Sequence, residues 1–216
     1  MNTRKIKKTW AVVQYDNRPL QNIYKVLQQH NINYCKKYGY KYFFSSEKYE
    51  LPPYWIKVKI VQEILKTNKY KGVLWLDMDA VIHDTNISLD SLLIKGKSFY
   101  YAPDRPEWNT PFNAGVWFVL NNKIGNAIVD SWINTYKPEY WMEKNGKWIT
   151  NGPWAGITYE QGSFIHYIKP IYMKYINEFP WHFLQSHEPS EKSFILHFAV
   201  NYKRFIQKYI TGHMNF

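Results

Sequence analysis

Cysteine is nearly absent from this 216-residue chain. The single copy, Cys35, has no second thiol with which to close an internal disulfide, make a redox pair or build a Cys-rich zinc site. It is expected as a half-buried helix residue. Long hydrophobic runs are missing too. The basic run Met1 to Thr9 leads only into Trp10-Ala11-Val12-Val13, too brief for a signal or membrane-crossing core, so the chain reads as soluble and cytoplasmic. Acidic residues are scarce: 17 Asp and Glu stand against 28 Lys and Arg, a formal charge of +11. That surplus suits an anionic partner. It does not point to nucleic acid, because the basic residues are scattered and no zinc-finger spacing, RNP-type motif or basic-region heptad accompanies them. No internal repeat or low-complexity tract stands out. What is present is 45% apolar and 19% aromatic residues, enough for one sizeable core and too little for two, hence one domain over 1–216.

Trp10 to Gln14 is a short apolar run opening into the polar loop Tyr15-Asp16-Asn17-Arg18-Pro19, and reads as a buried strand. Leu20 to Tyr38 carries Ile23, Val26, Leu27 and Tyr34 at near-helical spacing, with Gly39 as a helix stop. Tyr40 to Phe44 is a second strand. After Pro52-Pro53, the segment Tyr54 to Thr67 places Ile56, Ile60, Val61, Ile64 and Leu65 on one helix face. Val73-Leu74-Trp75-Leu76 is then a continuous apolar strand of the kind buried on both faces. Strand, helix, strand, helix, strand predicts an α/β fold: a three-layer α/β/α sandwich around a mostly parallel sheet, with ligands at the strand C-termini. Ser98 to Ala102 and Val116 to Leu120 are expected as further strands, and a helix from about Ile124 to Tyr136. Between Tyr136 and Trp154 the sequence suggests a loop-rich region.

Asp77-Met78-Asp79 follows the apolar strand directly. Alternate residues of an extended segment project to one side, so both carboxylates can converge on one cation. Mg²⁺ and Mn²⁺ prefer such oxygen ligands, and two carboxylates leave positions open for a diphosphate. Two other readings compete. Asp77 can cap the next segment while Asp79 is merely solvated. Asp77-Met78-Asp79-Ala80-Val81 also fits the first motif of haloacid-dehalogenase phosphatases, with Asp77 as nucleophile, although that family opens its core domain with this strand and no later acidic motif completes its site.

Three further segments carry chemistry. Phe112 to Asn121 sets Asn113 and Gly115 at the start of an apolar strand, where an amide can bond sugar hydroxyls and a glycine lets backbone approach a ligand. Glu160-Gln161-Gly162 opens a helical stretch holding Phe164, Ile165 and Ile168, and can meet hydroxyls or a developing cation. Ser193 to Phe198 brings His197 out of an apolar run, with Lys203 six residues on. An imidazole can complete a metal shell and a lysine can neutralise phosphate oxygens. Each of the three has a plain structural alternative: a turn, a capping pair and a structural histidine.

In this order the segments resemble the GT-A glycosyltransferases. Asn33 to Tyr40, Trp55-Ile56-Lys57 and Val73 to Ile82 look like glycosyltransferase family 34, the galactosyl-, mannosyl- and xylosyltransferases. Asn113 to Val116, Glu160-Gln161 and His197 to Phe205 are similar to elements of the glycogenin-like family 8. The resemblance implies a retaining hexosyl- or pentosyltransferase that moves a sugar from a nucleotide diphosphate, a UDP-sugar being the commonest class, to a saccharide acceptor with Mn²⁺ or Mg²⁺. It implies Asp77, Asp79 and His197 as metal ligands, and Lys203 and Lys57 as contacts to the diphosphate or donor sugar. Asn113, Glu160 and Gln161 would line that sugar, Tyr15 and Asp16 the nucleoside, and Asp104 is a further contact to sugar hydroxyls. Catalytic weight falls on Gln161, Glu160 and Asp79. Departures are present: Val200 stands where the family has Gly, Arg204-Phe205 where it has Pro-Trp, and Glu160 for an Asp, so the backbone path toward the phosphates is expected to differ. Trp132, Tyr136, Tyr140, Trp141, Trp148 and Trp154 are candidate platforms for the acceptor, with Trp132 and Tyr136 better read as core. A binding module without activity is the remaining alternative.

Overall fold

The computed structural model describes residues 8–212. Strand β1 (Trp10–Tyr15), helix α1 (Asn22–Tyr38), strand β2 (Lys41–Ser45), helix α2 (Pro53–Lys66) and strand β3 (Gly72–Leu76) follow the expected alternation. Helix α1 stops where Gly39 turns left-handed (φ 67°) and donates its N–H to the carbonyls of Cys35 and Lys36. Helix α2 starts with proline at its first position, where no N–H is needed. After β3 come β4 (Ala80–Ile82), β5 (Phe99–Tyr101), β6 (Val116–Leu120), helix α3 (Lys123–Ile133) and the hairpin β7 (Trp141–Lys144) and β8 (Lys147–Thr150). Helix α3 ends three residues before the expected Tyr136. The chain closes with α4 (Glu160–Ser163), a π-helical turn Phe164–Ile168, α5 (Lys169–Tyr172), β9 (Ile176–Glu178), α6 (Trp181–Leu184), β10 (Ile195–His197) and α7 (Arg204–Ile210).

Six strands form the central sheet in the order β2-β1-β3-β6-β5-β9. Strand β6 alone runs against the rest, antiparallel to both β3 and β5, while β1 is parallel to β2 and β3, and β5 to β9. The sheet is mostly parallel, as expected. Period-two alternation splits its side chains between two cores. Ala11, Val13, Val73, Trp75, Phe99, Trp117 and Val119 pack with Val58, Val61, Ile128, Trp132 and Phe164 from α2, α3 and the π turn. Trp10, Val12, Leu74, Tyr100, Val116 and Phe118 pack on the other face with Tyr34 and Cys35 of α1, Leu184 and Phe194. These are the three layers the sequence predicts.

Two expectations are corrected. Cys35 is 2% exposed, fully in the second core rather than half-buried, because its helix face lies flat on the sheet. The stretch after Tyr136 holds a regular hairpin, not only loop. Asn145 (φ 52°) and Gly146 (φ 72°) form its two-residue turn, the Asn-Gly chemistry that matches strand twist.

One small pairing matters most for the site. β10 pairs antiparallel with β4, His197 opposite Ala80, and the N–H of Phe198 donates to Asp79 O at 2.9 Å. Two segments far apart in sequence are thereby locked side by side.

Candidate donor and metal site

The loop after β3 is fixed by its backbone before any side chain acts. Asp77 N–H donates to Gly115 O (2.8 Å), and Asp77 O accepts from Ala80 N–H (2.9 Å) and from Gln14 Nε2 (3.1 Å). Gln14 is itself held by buried Asn31, whose amide donates to Gln14 Oε1 and Ala80 O and accepts from Ile82 N–H. A satisfied buried network of this kind specifies one loop geometry.

Asp77 is no helix cap. Its Oδ1 accepts from Lys57 Nζ at 2.9 Å and Trp75 Nε1 at 2.8 Å. Lys57, 8% exposed, also donates to Ala114 O at 3.2 Å and lies 3.7 Å from Glu160 Oε1, so its ammonium faces the acidic groups around it. Asp79 is not merely solvated either: it is 9% exposed, with Oδ1 3.3 Å from His197 Nε2 and Oδ2 3.2 Å from Lys203 Nζ. Burial alone would raise its pKa, but His197 and Lys203 overcome that and hold it at about 2.

His197 is aimed by residues the sequence reading did not single out. Gln185 donates through Nε2 to Asn113 O (3.2 Å) and Val116 O (3.3 Å), which turns its Oε1 to His197 Nδ1 at 2.6 Å. An amide oxygen only accepts, so Nδ1 carries a proton and Nε2 faces the Asp pair. Gly115 makes room for the ring: a Cβ there would lie 2.1 Å from His197 Cε1. The glycine therefore admits a side chain of this protein, where a ligand was expected.

Ligand atoms of Asp77, Asp79 and His197 all lie within 4.8 Å of one another. Two carboxylates and an imidazole nitrogen on one point are a donor set for a borderline or hard divalent cation. Metal-binding histidines ordinarily donate their other ring N–H to a neighbouring oxygen, as His197 Nδ1 does to Gln185 Oε1. The residues present fit the ion.

This cluster joins two cavities, both lined by Tyr54, Lys57, Asp77, Asp79 and Lys203. The first, about 460 Å³, continues to Tyr15, Asp16, Asn17, Arg18 and Tyr24. Asp16 is gripped there by a fork from Arg18, Nε to Oδ1 at 2.9 Å and NH2 to Oδ2 at 2.8 Å, and the Tyr15 hydroxyl donates to Glu47 O. Arg18 is a member of this cavity that sequence reasoning missed. Its only signal was a polar loop after a buried strand. The second cavity, about 550 Å³, runs past Asp104, Asn113, Glu160 and Gln161 to Trp108, Trp154, Val200 and Asn201. Asn113 is occupied within the protein: Oδ1 accepts from Gly115 N–H at 2.7 Å and Nδ2 donates to Asp104 Oδ2 at 2.9 Å. All the candidate residues thus gather at one edge of the sheet, although Asn113 and Lys57 spend their bonds on neighbours.

Val200 has a φ of 52°, a left-handed conformation that glycine adopts freely and a β-branched residue rarely. The aromatic segment divides as well: Trp132 is fully buried, Tyr136 and Trp148 pack against the core, and Trp154 is 66% exposed at the second cavity.

Glu160 supplies a pH prediction. It is 2% exposed and Oε2 has no hydrogen-bond partner; burial pushes its pKa up to about 7 despite the opposing charge of Lys57. A carboxyl raised above its unfolded value costs nothing while protonated and destabilises the fold as pH rises from that value through 7. Glu160→Gln should therefore match wild type near pH 4 and exceed it at pH 8 by up to about 3 kcal/mol in urea unfolding with chelator present. A variant no more stable than wild type at pH 8 would refute the assignment.

Residues 10–105 match the galactosyl transferase GMA12/MNN10 family. No curated protein matches the sequence. Among solved structures, a glycosyltransferase involved in glycosylation of the major capsid of PBCV-1 superimposes with a TM-score of 0.71 at 16% identity, covering 92% of this chain and 98% of that one. The bifunctional glycosyltransferase WbbM superimposes with a TM-score of 0.52 at 10% identity, covering 98% of this chain and 50% of that one. No helix among the described residues is long and apolar enough to cross a membrane. Over residues 10–105 the chain resembles the GMA12/MNN10 galactosyl transferases, and over nearly its whole length it has the fold of the GT-A glycosyltransferases.

Proposed function

We propose that this chain is a single-domain, metal-dependent glycosyltransferase that moves a sugar from a nucleoside diphosphate donor, a UDP-sugar in the first instance, to a saccharide hydroxyl with retention at the anomeric carbon. The observation that carries the proposal is the convergence of Asp77, Asp79 and His197 where a nucleotide-sized cavity meets a second one. The likeness in fold and the match over residues 10–105 support the same reading.

Charge sharpens it. Asp16, Asp77 and Asp79 face Arg18, Lys57 and Lys203 in the first cavity, three against three. A divalent cation would leave the cavity with two surplus positive charges, and the diphosphate of a sugar nucleotide carries two negative ones. Cation and donor should accordingly bind together. Mn²⁺ or Mg²⁺ held by Asp77, Asp79 and His197 would offset charge on the departing diphosphate. Lys203, 44% exposed beside Asp79, is free enough to follow those oxygens. Lys57 holds the Asp77 carboxylate in place at the cavity wall. In the transfer, the bond from the anomeric carbon to the diphosphate oxygen breaks with its electron pair going to the diphosphate. The acceptor oxygen bonds the same carbon from the same face, and its proton passes to the diphosphate. Gln161 and Glu160, which line the second cavity, would border the sugar while it is briefly cationic.

Thermal unfolding with UDP or GDP, with and without Mn²⁺, tests the donor site. At a hundred times the dissociation constant, stabilisation is about 2.7 kcal/mol, or roughly 5–10 °C for a domain of this size. We expect the shift with UDP and its loss under chelator, and slow release of nucleoside diphosphate from at least one sugar nucleotide without acceptor. Metal-independent binding and no turnover of any donor would instead favour a binding module. Phosphate release from simple phosphomonoesters would favour the phosphatase chemistry of Asp77.

A further inference from the structure

Five described residues other than glycine have positive φ: Asn68, Asn109, Asn145, Ala155 and Val200. Asparagine tolerates the left-handed region, whereas alanine and above all a β-branched valine are strained there. The two strained positions are not scattered. Val200 lines the second cavity, and Ala155 directly follows Trp154, which lines it too. Strain of this kind persists where surrounding structure imposes it. At Trp154 the cause is visible: a Cβ on Gly162 would lie 2.2 Å from the carbonyl oxygens of both Ala155 and Gly156, so α4 presses against this turn. Tyr54 and Tyr159 brace the indole, with ring centroids at 5.4 and 5.0 Å and steep interplanar angles.

Neither side chain serves the core. Trp154 and Val200 are each 66% exposed. An exposed indole and an exposed valine, on strained turns from different parts of the chain at one cavity, are a surface built to be covered. The same cavity is lined by the carboxyl groups of Asp104 and Glu160 and the amides of Gln161 and Asn201. Carboxyl and amide groups exchange hydrogen bonds with hydroxyls. Exposed apolar groups beside groups that bond hydroxyls match a pyranose, which has an apolar C–H face and polar edges.

We propose that Trp154 and Val200 form the acceptor subsite, where a ring of a neutral saccharide chain rests its apolar face while one hydroxyl is presented to the donor. This deepens the transferase reading and rests on it. With the donor identified by the release assay, transfer to neutral gluco-, manno-, galacto- and xylo-oligosaccharides is compared with transfer to a Ser/Thr peptide. Trp154→Ala should raise acceptor KM roughly tenfold, with donor KM and kcat at saturating acceptor within about twofold, and Trp154→Phe should recover most of the loss. Val200→Asn relieves the strain, so it should raise Tm by about 2–4 °C while raising acceptor KM severalfold. An unchanged acceptor KM in Trp154→Ala, an equal loss in donor release, no gain in Tm for Val200→Asn, or transfer to the peptide alone would each overturn the proposal. Should wild type release nucleoside diphosphate from no donor, the transferase reading itself fails. Saturation-transfer NMR with the same oligosaccharides, wild type against Trp154→Ala, then decides the subsite separately: loss of signal in the variant supports it and an equal signal overturns it.

Discussion

Asp79→Asn should bring nucleoside diphosphate release to background, a fall of about a thousandfold or more in kcat/KM, while the protein remains folded. The substitution is nearly isosteric and removes one charge. That charge is the one on which His197 and Lys203 both converge, at 3.3 and 3.2 Å. Without it, a cation would keep one carboxylate and one imidazole, and Asp77 is already shared with Lys57. Mn²⁺ binding by calorimetry should weaken in parallel with turnover. Stability offers a second readout. Burial disfavours the Asp79 carboxylate, yet its partners lower its pKa to about 2 from an ordinary 3.8. A depressed carboxyl contributes stability that is present above its unfolded value and lost as pH falls through the folded one. Wild type should thus exceed the variant by about 2 kcal/mol at pH 6 without metal, and converge with it between pH 4 and 2. Turnover above a tenth of wild type in Asp79→Asn would remove Asp79 from the machinery.

How much of this was legible beforehand depends on the range of the interactions. The alternation of β1, α1, β2, α2 and β3 is written in local periodicity and punctuated by Gly39 and Pro52-Pro53, so it could be read directly. The position of Asp77 and Asp79 at the end of a buried strand followed from the same pattern. The reversed direction of β6 did not, because an apolar run carries no sign of polarity. Nor did the pairing of β10 with β4, which is what places His197 at Asp79; its residues are apolar and short, and their partner is chosen only by the finished fold. The Asn145-Gly146 turn carries a local mark, but a stretch rich in Trp, Tyr, Asn and Gly reads equally as loop until its two strands pair. Gln185 and Arg18 had no local mark at all. Their roles exist only in the side chains they face, His197 and Asp16. Lys57 was found for one reason and sits for another: resemblance suggested a phosphate contact, and burial beside Asp77 and Glu160 makes it the counter-charge of the acidic pair.

Gly115 concentrates that lesson in one atom. It does not adopt positive φ, so its need for glycine is not conformational. It is steric: an added methyl would meet His197 Cε1 at 2.1 Å, His197 Nε2 at 2.7 Å and Asn113 Oδ1 at 2.9 Å. Asn113 is pinned by Asp104, and the Gly115 carbonyl is pinned by Asp77 N–H, so the imidazole is the part that must give. Gly115→Ala should therefore displace His197 by about an ångström or more, break its bond with Gln185, and cost roughly 1–3 kcal/mol of stability through overpacking. Mn²⁺ affinity should fall by about 10–100-fold or more, the range seen when a metal ligand loses its orientation. The cause can be isolated by a double-mutant cycle with His197→Ala, which removes the ring the methyl would strike. If the clash with His197 is the source, the cost of Gly115→Ala should largely vanish in that background, giving a coupling of about 1–3 kcal/mol. Additive costs would place the damage in the Asp77 backbone bond instead, and the glycine would then be guarding the loop rather than the histidine.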